Sequence, residues 1–354
     1  MKKNWIVAVL VLVLVQAGSH AVTASAQELK KIALKYADHI PPVAGGNLWA
    51  KKNYYSKIKD ECAKLGYDLD ITYYHSGSLY KSTEMVGACE KGLVDMTICI
   101  LPYEQARFPL HEVLDFGFMG WDQLSMVKVW AGLVQSVPEF RNEMDKDFFE
   151  YMRYVPSPKW IHTAMGPDVR TPADFKGKKI HTAGMGAEML KSIGAVPIRQ
   201  NPGDWYTSLD RGLFEGIVVA FDMVGIMKLW EVLDSHIQAY NDNFGFTPVT
   251  HVMNRKKLQS LPEEVQRVFI DNFEFASNGI TEFEVNNVPG YQAGAKTKGN
   301  NFIQLTADDT EKWRQAYKKI HMRWIKEKEK DGYPARKLYD EAVRLADKYN
   351  PKTQ

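Results

Sequence analysis

Two segments of the chain share one pattern: MVGACEKGLVDMTICI (residues 85–100) and YTSLDRGLFEGIVVAF (residues 206–221). In each, a helical pattern ends at a glycine, and an apolar pair followed by an acidic residue leads into an apolar strand. Strands and helices alternate around both segments, which is typical of mostly parallel sheets covered by helices. The sequence therefore predicts an α/β protein of two similar lobes with a cleft between them.

The predicted elements occur in two series and a helical tail. The first series consists of a strand (29–42), an amphipathic helix closed by Gly66 (46–66), a strand (67–77), a helix (81–92) and a strand (94–100). The second consists of a strand (178–184), a helix (186–194), a strand (195–200), a helix (204–212) and a strand (214–221). The tail begins with an amphipathic helix (261–285) and continues with a helix capped by Thr306, with Asp309 three residues later.

The N-terminus has the pattern of a secretory signal peptide. Lys2 and Lys3 precede a short apolar run, and ASA follows before Gln27. The run is shorter than the ~20 apolar residues that span a bilayer, so we expect cleavage after Ala26 and a soluble periplasmic protein. The predicted organisation is a signal peptide (1–26), lobe 1 (mainly 27–154), lobe 2 (mainly 155–250), and C-terminal helices and crossover segments that return to both lobes (251–354).

Composition and local motifs give no reason to expect an enzyme. Removal of two lysines takes the net charge of +2 to zero, which does not favour nucleic-acid binding. The motif HEVLD (111–115) lacks the second histidine of a zinc site, and GMGAEM (184–189) lacks the third glycine of a dinucleotide loop. We predict no cofactor, no metal site and no catalytic residue.

Three cysteines, Cys62, Cys89 and Cys99, leave two readings open. An odd number excludes a complete disulfide framework. The cysteines are either three buried thiols that pack as small hydrophobic groups, or one disulfide and one free thiol.

Five segments occur in a characteristic order: LKYADHIPP (34–42), YYHSGSLYKSTEMVGACEKGLVDMTI (73–98), FPLHEVLDFGFMG (108–120), VRTPADFKGKKIHTAGMGAEMLKSIGAVPI (169–198) and LDRGLFEGIVV (209–219). In this order the chain resembles the extracytoplasmic solute-binding proteins of TRAP transporters, the type typified by C4-dicarboxylate-binding members. The resemblance implies two α/β lobes, a long helix that spans them, and a cleft that closes on one small molecule. It also implies docking on a membrane permease with a large and a small subunit.

The chain departs from this family where a ligand carboxylate is usually held. The family's segment K-G-x-K-I-R ends in an arginine, whereas KGKKIH here ends in His181. A second arginine of acid-binding members aligns near Ile161, and a polar position aligns with Val219. A pocket that lacks two fixed positive charges is poorly suited to a dicarboxylate. We therefore expect a small organic acid, or an aromatic or heterocyclic solute, rather than a simple C4-dicarboxylate.

Nine residues are candidates for ligand contact: His181, His39, Trp160, His162, Tyr103, Arg199, Phe221, Trp205 and Arg170. His181 and His39 match positions that reach the cleft in the family, and His181 could hold an acid more tightly at low pH. Arg199 is a candidate relocated cation, while Arg170 lies in a segment typical of an exposed turn. For His181 and the aromatic residues, a purely structural role is the alternative.

Two other functional classes remain open at this point. The same fold could present its ligand to a membrane sensor instead of a permease, or it could serve as the scaffold of a secreted enzyme. The sequence does not separate these readings, because no docking surface can be recognised in it.

Overall fold

The computed structural model describes residues 29–42 and 44–350. The signal peptide predicted over residues 1–26 lies outside the described residues. Within them the structure has eleven strands arranged in two sheets. The strands are β1 (Lys30–Ala37), β2 (Tyr67–Tyr74), β3 (Met96–Ile100), β4 (Phe148–Tyr154), β5 (Lys159–Thr163), β6 (Lys179–His181), β7 (Val196–Ile198), β8 (Gly216–Ala220), β9 (Ser235–Gln238), β10 (Val249–Asn254) and β11 (Asn301–Gln304).

Sheet 1 has the strand order β2-β1-β3-β10-β4. β1 runs parallel to β2 and β3, as the first predicted series requires. β10 lies antiparallel between β3 and β4, and all six of its residues are buried. Because β3 and β4 are both antiparallel to β10, the other four strands of the sheet run in one direction, and the expectation of a mostly parallel sheet is confirmed. The reversed strand, β10, enters the sheet on its return from the second sheet and was not predicted.

Sheet 2 has the order β11-β9-β5-β8-β6-β7. β6 is parallel to β7 and β8, whereas β5 is antiparallel to β8 and β9. The register pairs His181 with Ile217, Ile217 with His162, and His162 with His236. Because paired residues of neighbouring strands point to the same face, these side chains form one row. We call it the histidine row: His181, Ile217, His162 and His236.

Thirteen α-helices lie in the described part of the chain. They are α1 (Gly45–Trp49), α2 (Ser56–Lys64), α3 (Met85–Glu90), α4 (Gln123–Ser136), α5 (Pro138–Asp145), α6 (Met185–Ser192), α7 (Trp205–Asp210), α8 (Phe221–Ile226), α9 (Arg255–Ser260), α10 (Glu263–Asp271), α11 (Phe273–Thr297), α12 (Ala307–Lys330) and α13 (Ala335–Tyr349). A π-helical segment, Ala50–Tyr55, joins α1 to α2, so the long first helix is confirmed.

The C-terminal helices connect the two sheets. The helix predicted over residues 261–285 is divided at Asn272 into α10 and α11. α11 continues past Pro289 and packs on β4 of sheet 1 and on α8, which follows β8 of sheet 2. The Thr306 side chain accepts a hydrogen bond from the Asp309 amide at 3.1 Å, which confirms the predicted cap of α12. A long helix that spans both lobes is therefore present.

The apolar core is divided between the two sheets. One buried cluster contains Leu34 and Met253 of sheet 1, and another contains Ile161 and Val218 of sheet 2. The three cysteines are buried free thiols, in agreement with the first of the two readings. Within the described residues, no helix combines the length and apolar character needed to cross a bilayer.

Candidate ligand-binding site

A cavity of about 90 Å³ lies between the two sheets. Strands β3, β4 and β10 of sheet 1 contribute to its wall, as do β5, β6 and β8 of sheet 2. Helices α1, α8 and α11 also contribute. Most of the lining is apolar, and the polar side chains used below are His39, Tyr103, Lys159, His181, Asp222 and Glu284. Several of these follow the carboxyl ends of parallel strands, where α/β folds commonly bind ligands.

His181 is the last residue of β6, lines the cavity and is 2% exposed. Its ring centroid lies 4.8 Å from that of Trp205, which also lines the cavity, and 5.7 Å from that of Phe214. Burial, reinforced by the charge of Arg199, lowers the pKa of His181 to about 3. Its Nδ1 is buried without a hydrogen-bond partner among the described residues. Since buried polar atoms are rarely unpaired, this nitrogen is available to a ligand.

His39 and Tyr103 occupy a neighbouring part of the wall. Their ring centroids are 6.1 Å apart. Both ring nitrogens of His39 are buried without a hydrogen-bond partner in the described part of the chain. Burial lowers the pKa of His39 to about 4, against the opposing charge of Asp38, and raises the pKa of Tyr103 to about 12. Both groups are therefore neutral near neutral pH, and both can form hydrogen bonds with a ligand.

Arg199 lies at the edge of the cavity. It lines an adjoining depression that also contains Tyr103 and His181. Its guanidinium carbon lies 5.6 Å from the centroid of the Tyr103 ring, within the range of a cation–π contact. The residue is exposed. Arg199 therefore places one positive charge beside the cavity, on the side of His181.

Trp160, His162 and Phe221 lie behind the cavity wall instead of on it. Trp160 and Phe221 belong to one buried cluster, with ring centroids 5.2 Å apart. His162 is fully buried, and its Nδ1 lies 2.9 Å from Nδ1 of His236. The His236 Nε2 in turn lies 3.0 Å from Oδ1 of Asn300. These rings fill the space between strands and helices, and none of the three predicted residues lines the cavity.

Arg170 lies in a turn away from the cavity. Its amide donates to Oδ2 of Asp174 at 3.0 Å, and its carbonyl accepts from Nε1 of Trp313 at 2.8 Å. The backbone of Arg170 thereby joins this turn to α12, and its side chain is not part of the cavity wall.

Lys159 is a cavity residue that the sequence analysis missed. Its Nζ forms an ion pair with Oδ1 of Asp115, and both residues are almost fully buried. The Asp115 Oδ2 also accepts a hydrogen bond from the Met185 amide at 2.7 Å. A lysine at the start of the apolar strand KWIHT was the available signal. Because its charge is already paired, Lys159 offers a ligand less attraction than a free cation.

Asp222 and Glu284 were also missed. They line the cavity from α8 and α11, and are 3% and 4% exposed. The signal for Glu284 is its position on the buried stripe of α11 that includes Ala276 and Ile280. An acidic residue at helical spacing along an apolar stripe is unusual unless it has a specific role.

The described residues contain no cluster of histidine, cysteine and acidic side chains suited to a metal ion. The residues that line the cavity offer a ligand hydrogen bonding, apolar contact and charge.

Comparison with solved structures identifies the fold of this chain. A solute-binding protein from a marine metagenome, described as specific for aromatic acid ligands and complexed with 3-hydroxybenzoate, is similar with a TM-score of 0.82 at 22% identity. The similarity covers 91% of this chain and 99% of that one. It shows the two-lobed fold of TRAP solute-binding proteins, and confirms that architecture here.

Two curated proteins are similar in sequence. The 2,3-diketo-L-gulonate-binding periplasmic protein YiaO of Escherichia coli is 22% identical over 60% of this chain. This chain spans 63% of its length, just under two thirds. The C4-dicarboxylate-binding periplasmic protein DctP of Rhodobacter capsulatus is 25% identical over 72% of this chain and 75% of its own length.

The family model described as "Bacterial extracellular solute-binding protein, family 7" matches residues 51–328, which is well over half of the chain. This family and this fold are those of solute-binding proteins of transport systems, not of enzymes. The chain belongs to family 7 of the bacterial extracellular solute-binding proteins, the DctP family.

Proposed function

We propose that this protein captures a small, largely apolar organic acid, or an aromatic or heterocyclic solute, in the cavity between its lobes. It then delivers the solute from the periplasm to the large and small subunits of a TRAP membrane permease. The proposed contacts are His181, His39, Tyr103 and Trp205 on the wall, with Arg199 at the edge. Closure of the two lobes on the solute requires only that the closed state bind it more tightly.

One observation carries the choice of solute. Lys159 is the only lysine or arginine among the described residues that line the cavity, and it is paired with Asp115. His181 adds no fixed charge, since burial, reinforced by Arg199, lowers its pKa to about 3. Two ligand carboxylates would therefore lose their hydration without gaining two cations, which is costly in an apolar cavity. A solute with one carboxylate can keep that group toward Arg199.

The marine metagenome protein with a similar fold supports this choice, whereas the DctP relative is named for C4-dicarboxylates. The structurally similar marine protein is described as specific for aromatic acids. Its ligand has the character that an apolar cavity with few polar groups favours, namely an apolar ring and a single carboxylate. Aliphatic and aromatic lining residues such as Ile100, Val219 and Trp205 supply matching contact surface here.

A thermal-shift screen of the purified mature protein against a metabolite collection tests the solute class. We expect stabilisation by aromatic and heterocyclic acids and little response to succinate, fumarate or malate. Stabilisation by these dicarboxylates alone would contradict the proposal. Uptake of the identified solute by cells, lost when either the protein or its permease is deleted, tests the delivery step.

A further inference from the structure

Two carboxyl groups, those of Asp222 and Glu284, face the same apolar cavity from different helices. Asp222 lies in the first turn of α8, directly after β8, and Glu284 lies in the middle of α11. Both are more than nine-tenths buried. Charged carboxyl groups are seldom buried without a hydrogen-bond or ion-pair partner. The partner of these two carboxyl groups therefore has to be identified.

The surrounding protein satisfies only one of the two groups. Asp222 Oδ1 accepts a hydrogen bond from the Ser157 hydroxyl at 2.8 Å. Glu284 forms no hydrogen bond or ion pair with another described residue, and its electrostatic neighbour is Asp222 itself. Within the described lining, Lys159 is the only lysine or arginine, and it is paired with Asp115. Protein cations therefore leave the Asp222–Glu284 pair unneutralised.

Like charges in an apolar wall oppose the ionisation of both groups. Burial raises the pKa of Asp222 to about 6. Burial, together with the charge of Asp222, raises the pKa of Glu284 to about 8. Near neutral pH the pair therefore keeps close to one proton and one negative charge. A second, independent feature of the same cavity is the unpaired Nδ1 of His181, a side chain that is 2% exposed.

The acidic pair and the positive edge of the cavity are separate. Arg199 lines the adjoining depression together with His181 and Tyr103, and neither Asp222 nor Glu284 belongs to that depression. The cavity therefore has an edge that favours negative charge and a wall that favours positive charge.

We propose that the Asp222–Glu284 pair binds an ammonium group of the solute. The solute is then amphoteric: its carboxylate lies toward Arg199, its apolar body fills the cavity, and its ammonium donates hydrogen bonds to the two carboxylates. This inference rests on the proposed function, since it assigns a second polar end to the solute captured in the same cavity. Charge-assisted hydrogen bonds to an ammonium supply the counter-ion that the protein lacks.

Two simple probes separate the two ends of the cavity. Benzylammonium carries the apolar ring and the positive charge, whereas benzoate carries the ring and the negative charge. We expect calorimetric titration to show that the wild-type protein binds benzylammonium. Glu284→Gln should weaken this binding about tenfold or more without weakening benzoate binding, because the amide keeps the shape of the side chain but cannot ionise when an ammonium binds.

Glu282→Gln is the matched control, since Glu282 is exposed on the same helix, two residues from Glu284. Glu282→Gln should leave the affinity for both probes unchanged. Asp222→Asn, like Glu284→Gln, should selectively weaken the binding of benzylammonium. Failure of the wild-type protein to bind benzylammonium, or equal binding by Glu284→Gln, would overturn the inference. Failure to bind benzoate or any other acid would instead contradict the proposed function, with the benzylammonium result still deciding the role of the pair.

The pH dependence gives a further check on the same variants. Benzylammonium affinity should increase from pH 6 to pH 8, because the pair loses its protons over this range in the free protein. Tyr154 and Tyr291 also feel the pair, but burial and these carboxylates raise the pKa of each, so they stay neutral. In Glu284→Gln most of the increase should disappear. An unchanged pH profile in that variant would count against the inference.

Discussion

The two ends of the histidine row differ although they share one sheet and one face. At one end, His181 borders the cavity and its Nδ1 has no hydrogen-bond partner in the described chain. At the other end, His162 contacts His236 and the carbonyl of Val219. Both rings are buried, and burial is the first cause of the lowered pKa of each. Burial alone therefore does not identify a binding site, whereas an unsatisfied polar atom that faces a cavity does.

Phenylalanine substitutions at the two ends give the largest expected contrast. His162→Phe leaves His236 Nδ1 without its neighbour and adds volume to a filled core. We expect it to lower the free energy of unfolding by about 2–4 kcal/mol. His181→Phe removes an unpaired polar atom next to a cavity and should change it by less than about 1 kcal/mol. Denaturant unfolding of both variants measures the contrast, and equal losses would show that the two histidines have the same structural role.

Lowering the pH should destabilise both ends of the row. Burial lowers the folded-state pKa of His181 to about 3 and that of His236 to about 4. Both values lie below the pKa of 6.5 that a histidine has in the unfolded chain. The unfolded state therefore binds more protons below pH 6.5, so the stability contributed by neutral histidines is present above pH 6.5 and is lost as the pH falls.

For His181 alone the loss from pH 7 to pH 5 should be about 2 kcal/mol. Comparison of the wild-type protein with His181→Phe at both pH values isolates this contribution, and the variant should lose less stability. Glu284 acts in the opposite direction: burial raises its pKa to about 8, so its contribution decreases as the pH rises from 4.5. Because this window contains pH 5–7, the comparison at pH 7 and pH 5 should be repeated in the Glu284→Gln background, where the Glu284 contribution is absent. Equal losses in the wild type and His181→Phe would contradict the neutral state assigned to His181.

Ligand affinity gives the smallest contrast in free energy, but the most specific one. His181→Phe should weaken binding of the captured acid about tenfold, the value of one hydrogen bond to a charged group. His162→Phe, measured where it remains folded, should leave the affinity within about threefold. Calorimetric titration with the solute identified by screening measures both. A larger loss of affinity for His162→Phe than for His181→Phe would contradict binding at the His181 end of the row.

The sequence predicted most of the fold because its strand and helix signals are local. Gly66 closes the first long helical region and Thr306 caps α12 as expected. The insertion of β10 into sheet 1 was not predicted, because a strand's pairing partners depend on contacts distant in sequence. The break at Asn272 was missed because the apolar periodicity continues across it.

The site was predicted less completely than the fold. The position of His181 at the end of its strand could be anticipated from strand–turn–helix signals. Trp160 and Trp205, in contrast, could not be told apart from the sequence, because both are buried aromatic residues. Only the folded structure shows that Trp205 lines the cavity and Trp160 does not. Glu284 comes to the cavity from a helix far along the chain, so no local pattern joins it to Asp222.

The central claim is that the cavity accepts a ring with one carboxylate and not an aliphatic dicarboxylate. Paired calorimetric titrations of the wild-type protein with benzoate and succinate test it most directly, at one pH and one ionic strength. The account predicts measurable binding of benzoate and none of succinate at the same concentrations. Binding of succinate as tight as, or tighter than, that of benzoate would contradict it.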